Sequence, residues 1–205
     1  MGIQIELEKN GYLTLNDIYS NLEISQIISE IENIELEKDR DGKSTKLFAI
    51  RHFFKEVPGT FTCIFNDNLK TIIKKYFGSD FFVVKSIYFD KPLHSNWFVS
   101  YHQDLTISVN QKMSISDFKG WTRKKNQFSV QPSISVLENI FTIRIHLDDT
   151  DEKNGALKVI PKSHTKGIYR PETINWDIEQ EVICNVKKGS VMMMKPLFYI
   201  VQAKP

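Results

Sequence analysis

The sequence is poor in cysteine, with only Cys63 and Cys184 among its 205 residues. Two isolated thiols do not make a disulfide framework, and such a chain is typical of a reducing compartment. A signal peptide and an apolar run long enough to cross a membrane are also missing. We therefore expect a cytoplasmic protein with no membrane partner.

An excess of charge of one sign is missing as well. The chain has 27 Lys and Arg against 25 Asp and Glu, scattered along its length, for a net charge of +2. Proteins that bind nucleic acid concentrate positive charge on one surface, so no nucleic-acid partner is expected. A length of 205 residues with 41% hydrophobic residues is enough to bury one core. We expect a single domain over residues 1–205.

The first 80 residues predict a helical part of this domain. In the stretch LNDIYSNLEISQIISEIENIELE, isoleucines recur at steps of three and four residues, as on one face of an amphipathic helix. They are Ile24, Ile27, Ile28, Ile31 and Ile34. The stretch DNLKTIIKKYFGS predicts a second, shorter helix that ends at Gly78.

Residues 81–205 have a different composition. Six runs rich in β-branched and aromatic residues are separated by Asp, Asn, Gly and Pro, which predicts about six strands. Helices followed by strands indicate a mainly β fold with N-terminal helices, a β-sandwich or jelly roll that rests on a helical buttress. Residues 110–138 are expected to form a long irregular insertion that covers a binding mouth.

The run SYHQDLTISV contains a possible metal site. Side chains at i and i+2 of a strand share one face, so His102 and Asp104 could offer an imidazole and a carboxylate to one ion while Gln103 points away. Two histidines and one carboxylate form the facial triad of non-haem Fe(II) oxygenases. A strand histidine bonded to a nearby aspartate is the alternative reading of this short motif.

Three longer stretches add context to this pair. DKPLHSNWFVSYHQDLTI, FTIRIHLDDTDEKNGALKVIPKSHTKG and VKKGSVMMMKP together resemble, in order, the phytanoyl-CoA dioxygenase family of Fe(II)- and 2-oxoglutarate-dependent oxygenases. The resemblance implies a double-stranded β-helix, a cupin-like jelly roll, with His102 and Asp104 as the first two iron ligands. It also implies Fe(II) and 2-oxoglutarate as cofactors, and molecular oxygen and a small molecule or acyl thioester as substrates.

The resemblance also shows where this chain departs from the family. The distal histidine of the family falls on Ile200, which cannot bind iron. The arginine that anchors 2-oxoglutarate lies in a final strand that this chain does not reach. The resemblance therefore predicts a jelly roll without its final strand, by truncation or frameshift, and a dioxygenase that is inactive as the chain stands. The alternative is a non-catalytic, metal-free binding module with the same fold.

Several other residues are candidates for the binding site. Arg144 is the candidate for cofactor binding, because an inward arginine in a barrel mouth needs a partner such as a carboxylate. Asn96, Trp97 and Trp121 are candidates for the substrate wall.

Further polar and sulfur-containing residues lie in the same predicted strands or close to them. His146 and Asp148 alternate with Arg144 and would form a satisfied polar cluster or line the cavity. His164 is expected at a strand end and not on the iron, as the resemblance implies. Met192, Met193 and Met194 are expected to fill the core.

Overall fold

The computed structural model describes residues 2–40, 49–90, 99–124 and 127–202. Its helices are α1 (Gly2–Asn10), α2 (Asn21–Arg40), α3 (Phe53–Glu56), α4 (Thr60–Ile64), α5 (Asp67–Phe77) and α6 (Ile134–Leu137), with 3-10 turns at Ser163–Lys166 and Pro171–Thr173. Its strands are β1 (Tyr12–Leu15), β2 (Ala49–Arg51), β3 (Ile87–Phe89), β4 (Val99–Gln103), β5 (Ile107–Val109), β6 (Lys119–Lys124), β7 (Gln127–Gln131), β8 (Thr142–Ile145), β9 (Leu157–Val159), β10 (Val182–Cys184), β11 (Val191–Met194) and β12 (Tyr199–Gln202). No helix in these ranges is both long and apolar enough to cross a membrane.

The two predicted helices are confirmed. The apolar face of α2 is buried in a helical core, with Ile24, Ile27 and Ile31 at most 3% exposed. Helix α5 begins after Asn66, whose side chain accepts a hydrogen bond from the backbone N–H of Leu69 at 2.8 Å. It ends at Gly78, whose φ of 85° is easily adopted by a residue without a Cβ.

Two antiparallel sheets form the jelly roll. One has the strand order β10-β9-β12-β4 and the other the order β1-β11-β8. Between them lies a second core, to which the first sheet contributes Leu157, Val159 and Cys184 and the second Met192 and Met194. The predicted jelly-roll class is therefore confirmed, and residues on the inner faces of both sheets share one interior.

Strand β11 separates the two cores. Its side chains alternate, so that Met192 and Met194 face the interior between the sheets and Met193 faces the helices. All three are at most 5% exposed. Their predicted role as core residues is confirmed.

Two features of the chain differ from the predictions. Residues 1–80 contain strands as well as helices, and one of them, β1, pairs with β11 in the jelly roll. The expectation of an irregular insertion at 110–138 is wrong, because this segment contains β6, β7 and α6. With β5 these strands form a third antiparallel sheet, in the order β5-β7-β6.

Candidate metal centre

Strand β4 places His102 on the inner face of its sheet. The ring nitrogen Nδ1 lies 2.8 Å from the carbonyl oxygen of Ser100. A carbonyl can only accept, so Nδ1 carries the proton and donates it, and Nε2 is left with a lone pair. Histidines that bind metals are oriented in this way by a bond from their other nitrogen.

Asp104 lies just outside the strand. The prediction of one strand that carries both residues is wrong in this detail, because β4 ends at Gln103. The carboxylate of Asp104 is 55% exposed, and its Oδ1 lies 3.8 Å from Nζ of Lys85. Lys85 also donates to Oγ1 of Thr106 at 3.3 Å. The carboxylate thus faces solvent and a lysine.

Gln103 points to the opposite face from His102, as the strand period predicts. Its Nε2 donates to the carbonyl oxygens of Gly167, at 2.8 Å, and Leu197. Its Oε1 accepts from the backbone N–H of Tyr169 at 3.2 Å. These bonds fix the end of β4, and with it the backbone that carries His102. Sequence reasoning missed this role, because the partners of Gln103 are more than 60 residues away.

Ile200 occupies the position beside His102 where a third ligand would stand. In the β12–β4 pair, Ile200 lies directly opposite His102. Residues directly opposite each other in an antiparallel pair project their side chains to the same face. The side chain of Ile200 packs on the interior core. A hydrocarbon therefore lies next to the imidazole.

The donor set does not fit a facial triad. Within the described ranges, no three His, Cys, Asp or Glu side chains come together in a group that could hold a metal ion. His102 and Asp104 supply two possible ligands, and Ile200 cannot supply another. The residues that the structure describes therefore offer an incomplete site for Fe(II).

A second polar group lies on the inner face of β8. Arg144 stands opposite Met192 of β11 and is partly buried between the sheets. Burial lowers its pKa, against the opposing influence of Asp148 and Cys184. Across the interior, burial raises the pKa of the Cys184 thiol to about 12 despite the nearby guanidinium. The guanidinium thus lies in a poorly solvated interior.

His146 lies just beyond the end of β8, where its backbone N–H donates to the carbonyl oxygen of Ser190 at 3.1 Å, and it is only 3% exposed. Its Nδ1 lies 3.1 Å from Oγ1 of Thr150. Its Nε2 is buried and has no hydrogen-bond partner among the described residues. Burial, and secondly the charge of Arg144, lower the pKa of His146 to about 4, so the ring is neutral at physiological pH.

His164 lies away from the strands that carry His102 and Asp104, in the 3-10 turn Ser163–Lys166. Its Nε2 is 3.1 Å from the carbonyl oxygen of Glu8, and its ring meets Phe198 edge-on at 6.3 Å. It packs so closely on Gly11 that a Cβ there would lie within 3 Å of the ring. These contacts hold the 3-10 turn against the end of α1, so His164 contributes to packing.

The candidates for the substrate wall are only partly located. Trp121 lies on β6 and lines a shallow depression of about 430 Å³, together with residues 112–116 and Phe118. Asn96 and Trp97 lie outside the described residues. That they form a substrate wall stays a prediction.

Comparisons with known proteins identify the family and the fold of this chain. The sequence profile of the family Phytanoyl-CoA dioxygenase (PhyH) matches residues 7–199. No curated protein sequence matches the chain. Among solved structures, EctD from S. alaskensis with bound Fe has a TM-score of 0.71 and 16% identity over 97% of this chain and 69% of its own.

Two further structures show the same fold. The α-ketoglutarate-dependent carbocyclase SnoK from nogalamycin biosynthesis has a TM-score of 0.68 and 12% identity over 98% of this chain and 76% of its own. EvdO2 from Micromonospora carbonacea var. aurantiaca, complexed with 2-oxoglutarate, has a TM-score of 0.67 and 12% identity over 98% of this chain and 82% of its own. The solved structures share the fold of this chain, and the profile match over most of its length shows that the chain belongs to the phytanoyl-CoA dioxygenase family.

Proposed function

We propose that this chain, as it stands, is an iron-free member of its oxygenase family that does not turn over 2-oxoglutarate. It keeps the interior of the jelly roll as a binding site for a small molecule. The observation that carries the proposal is the register of β12 against β4, in which Ile200 faces the same side as His102.

The ligand chemistry supports this proposal. Non-haem Fe(II) is held by two histidines and one carboxylate, and its affinity depends on ligand number and on how firmly each ligand is held. Here the side chain beside His102 is a hydrocarbon. Asp104 is 55% exposed and lies near Lys85, which competes with a metal for the carboxylate. Both effects weaken iron binding.

An anaerobic titration with Fe(II) and 2-oxoglutarate tests the proposal. The chelate of the two on a complete site gives a weak visible charge-transfer band, and we expect none from the wild type. Ile200→His supplies an imidazole at the register position opposite His102, so this variant should gain the band. Ile200→Leu, which keeps a hydrocarbon of the same size, is the matched control and should stay silent.

Two results from the wild type would contradict the proposal. A band from the wild type that His102→Ala abolishes would contradict the proposal, because it would show that another group completes the site. Formation of succinate from 2-oxoglutarate by the wild type, dependent on Fe(II), would contradict it independently.

An active oxygenase is the second candidate. The lone pair on Nε2 of His102 and the adjacent Asp104 favour it, since together they are two of the three protein ligands. In that case the chain would use molecular oxygen to oxidise a small molecule or an acyl thioester. The succinate assay distinguishes the two candidates, because only this one predicts turnover in the wild type.

A further inference from the structure

Residues 110–124 hold an excess of positive charge that the balance of the whole chain conceals. They form a loop and strand β6, and their charged side chains are Lys112, Lys119, Arg123 and Lys124 against the single acid Asp117. Six lysines elsewhere form ion pairs, but none of these four cations does so within the part of the chain that the structure describes. Most of the positive charge of this segment therefore faces solvent without an acidic partner in the described structure.

The same segment exposes apolar side chains beside these charges. Met113 and Ile115 are 52% and 44% exposed, and they line the shallow depression together with Trp121. Lys112 also lines this depression. On β6, Arg123 lies two residues after Trp121, so the strand period places both side chains on the same face of the third sheet. These five residues, which we call the β6 surface, combine positive charge with exposed apolar groups.

We propose that the β6 surface binds the headgroup region of an anionic lipid bilayer. Lys112 and Arg123 contact the anionic headgroups, and Met113 and Ile115 insert into the boundary between headgroups and hydrocarbon. Tryptophan is enriched at this boundary, which gives Trp121 a role other than the predicted substrate wall. The expectation of no membrane partner rested on the absence of a spanning segment, which a peripheral contact does not need.

Other occupants fit this surface less well. A small molecule in so shallow a depression would keep much of its surface in water, whereas small-molecule sites enclose most of their ligand. Single-stranded nucleic acid stacks its bases on aromatic rings, but the most exposed apolar side chains of this surface are the aliphatic Met113 and Ile115. A bilayer is a single partner that offers negative charge and hydrocarbon next to each other.

Flotation of the whole chain with lipid vesicles tests the proposal, because aggregated protein sediments and only protein bound to vesicles floats. The vesicles contain equal parts of phosphatidylserine and phosphatidylcholine, and vesicles of phosphatidylcholine alone are the neutral control. We expect binding to the anionic vesicles and little binding to the neutral ones. Binding should fall between about 0.1 M and about 0.5 M salt, because salt screens the attraction.

Substitutions on the surface separate attraction by charge from insertion. Lys112→Gln and Arg123→Gln should each weaken binding to the anionic vesicles about fivefold, the usual contribution of one cation near a bilayer. The double variant Met113→Gln and Ile115→Gln should weaken the binding that remains at high salt, because it removes the inserted groups. All four positions are exposed, so these variants should fold like the wild type.

Matched variants at other exposed positions control for general effects. Lys74→Gln removes an exposed lysine of α5 and changes the net charge as much as Lys112→Gln does. Phe82→Gln removes an apolar side chain that is 83% exposed and lies two residues after Asp80. Both control variants should bind the anionic vesicles as the wild type does.

Three results would overturn the proposal. The first is no binding of the wild type to the anionic vesicles at low salt, or equal binding to the neutral ones. The second is an equal loss of binding in Lys112→Gln and Lys74→Gln. The third is tighter binding to polyglutamate or to single-stranded RNA at the same concentration of charge, which would assign the surface to an acidic protein or a nucleic acid. The assay contains neither iron nor 2-oxoglutarate, so its result is independent of the proposed function.

Discussion

Acidification should destabilise the protein through His146, and a single substitution should remove this effect. The ring is 3% exposed, and its pKa is about 4 in the folded chain against 6.5 for an ordinary histidine. The unfolded chain therefore binds a proton at a higher pH than the folded chain does. It follows that stability is intact above pH 6.5 and is lost as the pH falls toward 4.

The size of the effect follows from the two pKa values. One unit of difference corresponds to about 1.4 kcal/mol, and between pH 7 and pH 4.5 most of the shift is expressed. The contribution of His146 to the loss of unfolding free energy over this range is about 2 kcal/mol. That is a large fraction of the 5–15 kcal/mol by which native proteins are typically stable.

Urea unfolding at pH 7 and at pH 4.5 measures this contribution. His146→Gln keeps a side chain that can bond to Thr150 but does not titrate. All other groups titrate equally in both proteins, so the variant should lose about 2 kcal/mol less than the wild type on acidification. Equal losses would show that His146 is accessible to protons in the folded state and would refute the reasoning.

Further substitutions test the packing of the fold by urea unfolding. Met193→Ala, in a site that is 0% exposed, should cost about 2–5 kcal/mol, whereas Met113→Ala, at 52% exposure, should cost little; equal costs would contradict the burial of β11. Gly189→Ala should cost about 2 kcal/mol or more, because φ is 79° and a Cβ would lie 2.5 Å from the carbonyl oxygen of Tyr19. Asn66→Ala should cost about 1 kcal/mol or more, because it removes the cap of α5 and the bonds that Nδ2 donates to Ile18 and Glu23; an unchanged midpoint would show that none of these bonds contributes.

Local patterns in the sequence predicted those parts of the fold that depend on neighbouring residues. The isoleucines of α2 and the Asn66 and Gly78 ends of α5 follow from helix periodicity and capping. Strand β1 was missed because the four residues YLTL become a strand by pairing with β11, which lies far along the chain. Short strands are defined by their partners, and the sequence does not state the partners.

In the candidate site, too, some features follow from the local sequence and others depend on residues far along the chain. The alternation of His102 and Gln103 to opposite faces could be predicted from the strand period. The end of β4 could not, because its last pair is Gln103 with Tyr199 at the first residue of β12, which leaves Asp104 without a strand partner there. The approach of Lys85 to Asp104 likewise arises from the packing of distant segments.

The position of β11 has a consequence for how the protein opens. This strand is bonded on one side to β1 and on the other to β8, and its alternating methionines belong to both cores. Consecutive amides of a strand point to opposite neighbours, so the amides of Met192 and Met193 are both exposed only when β11 separates from β1 and from β8. This separation disrupts the helical core and the interior between the sheets together. In native-state hydrogen exchange, the amides of Met192 and Met193 should therefore exchange only through global unfolding, and they would report the stability of the whole molecule.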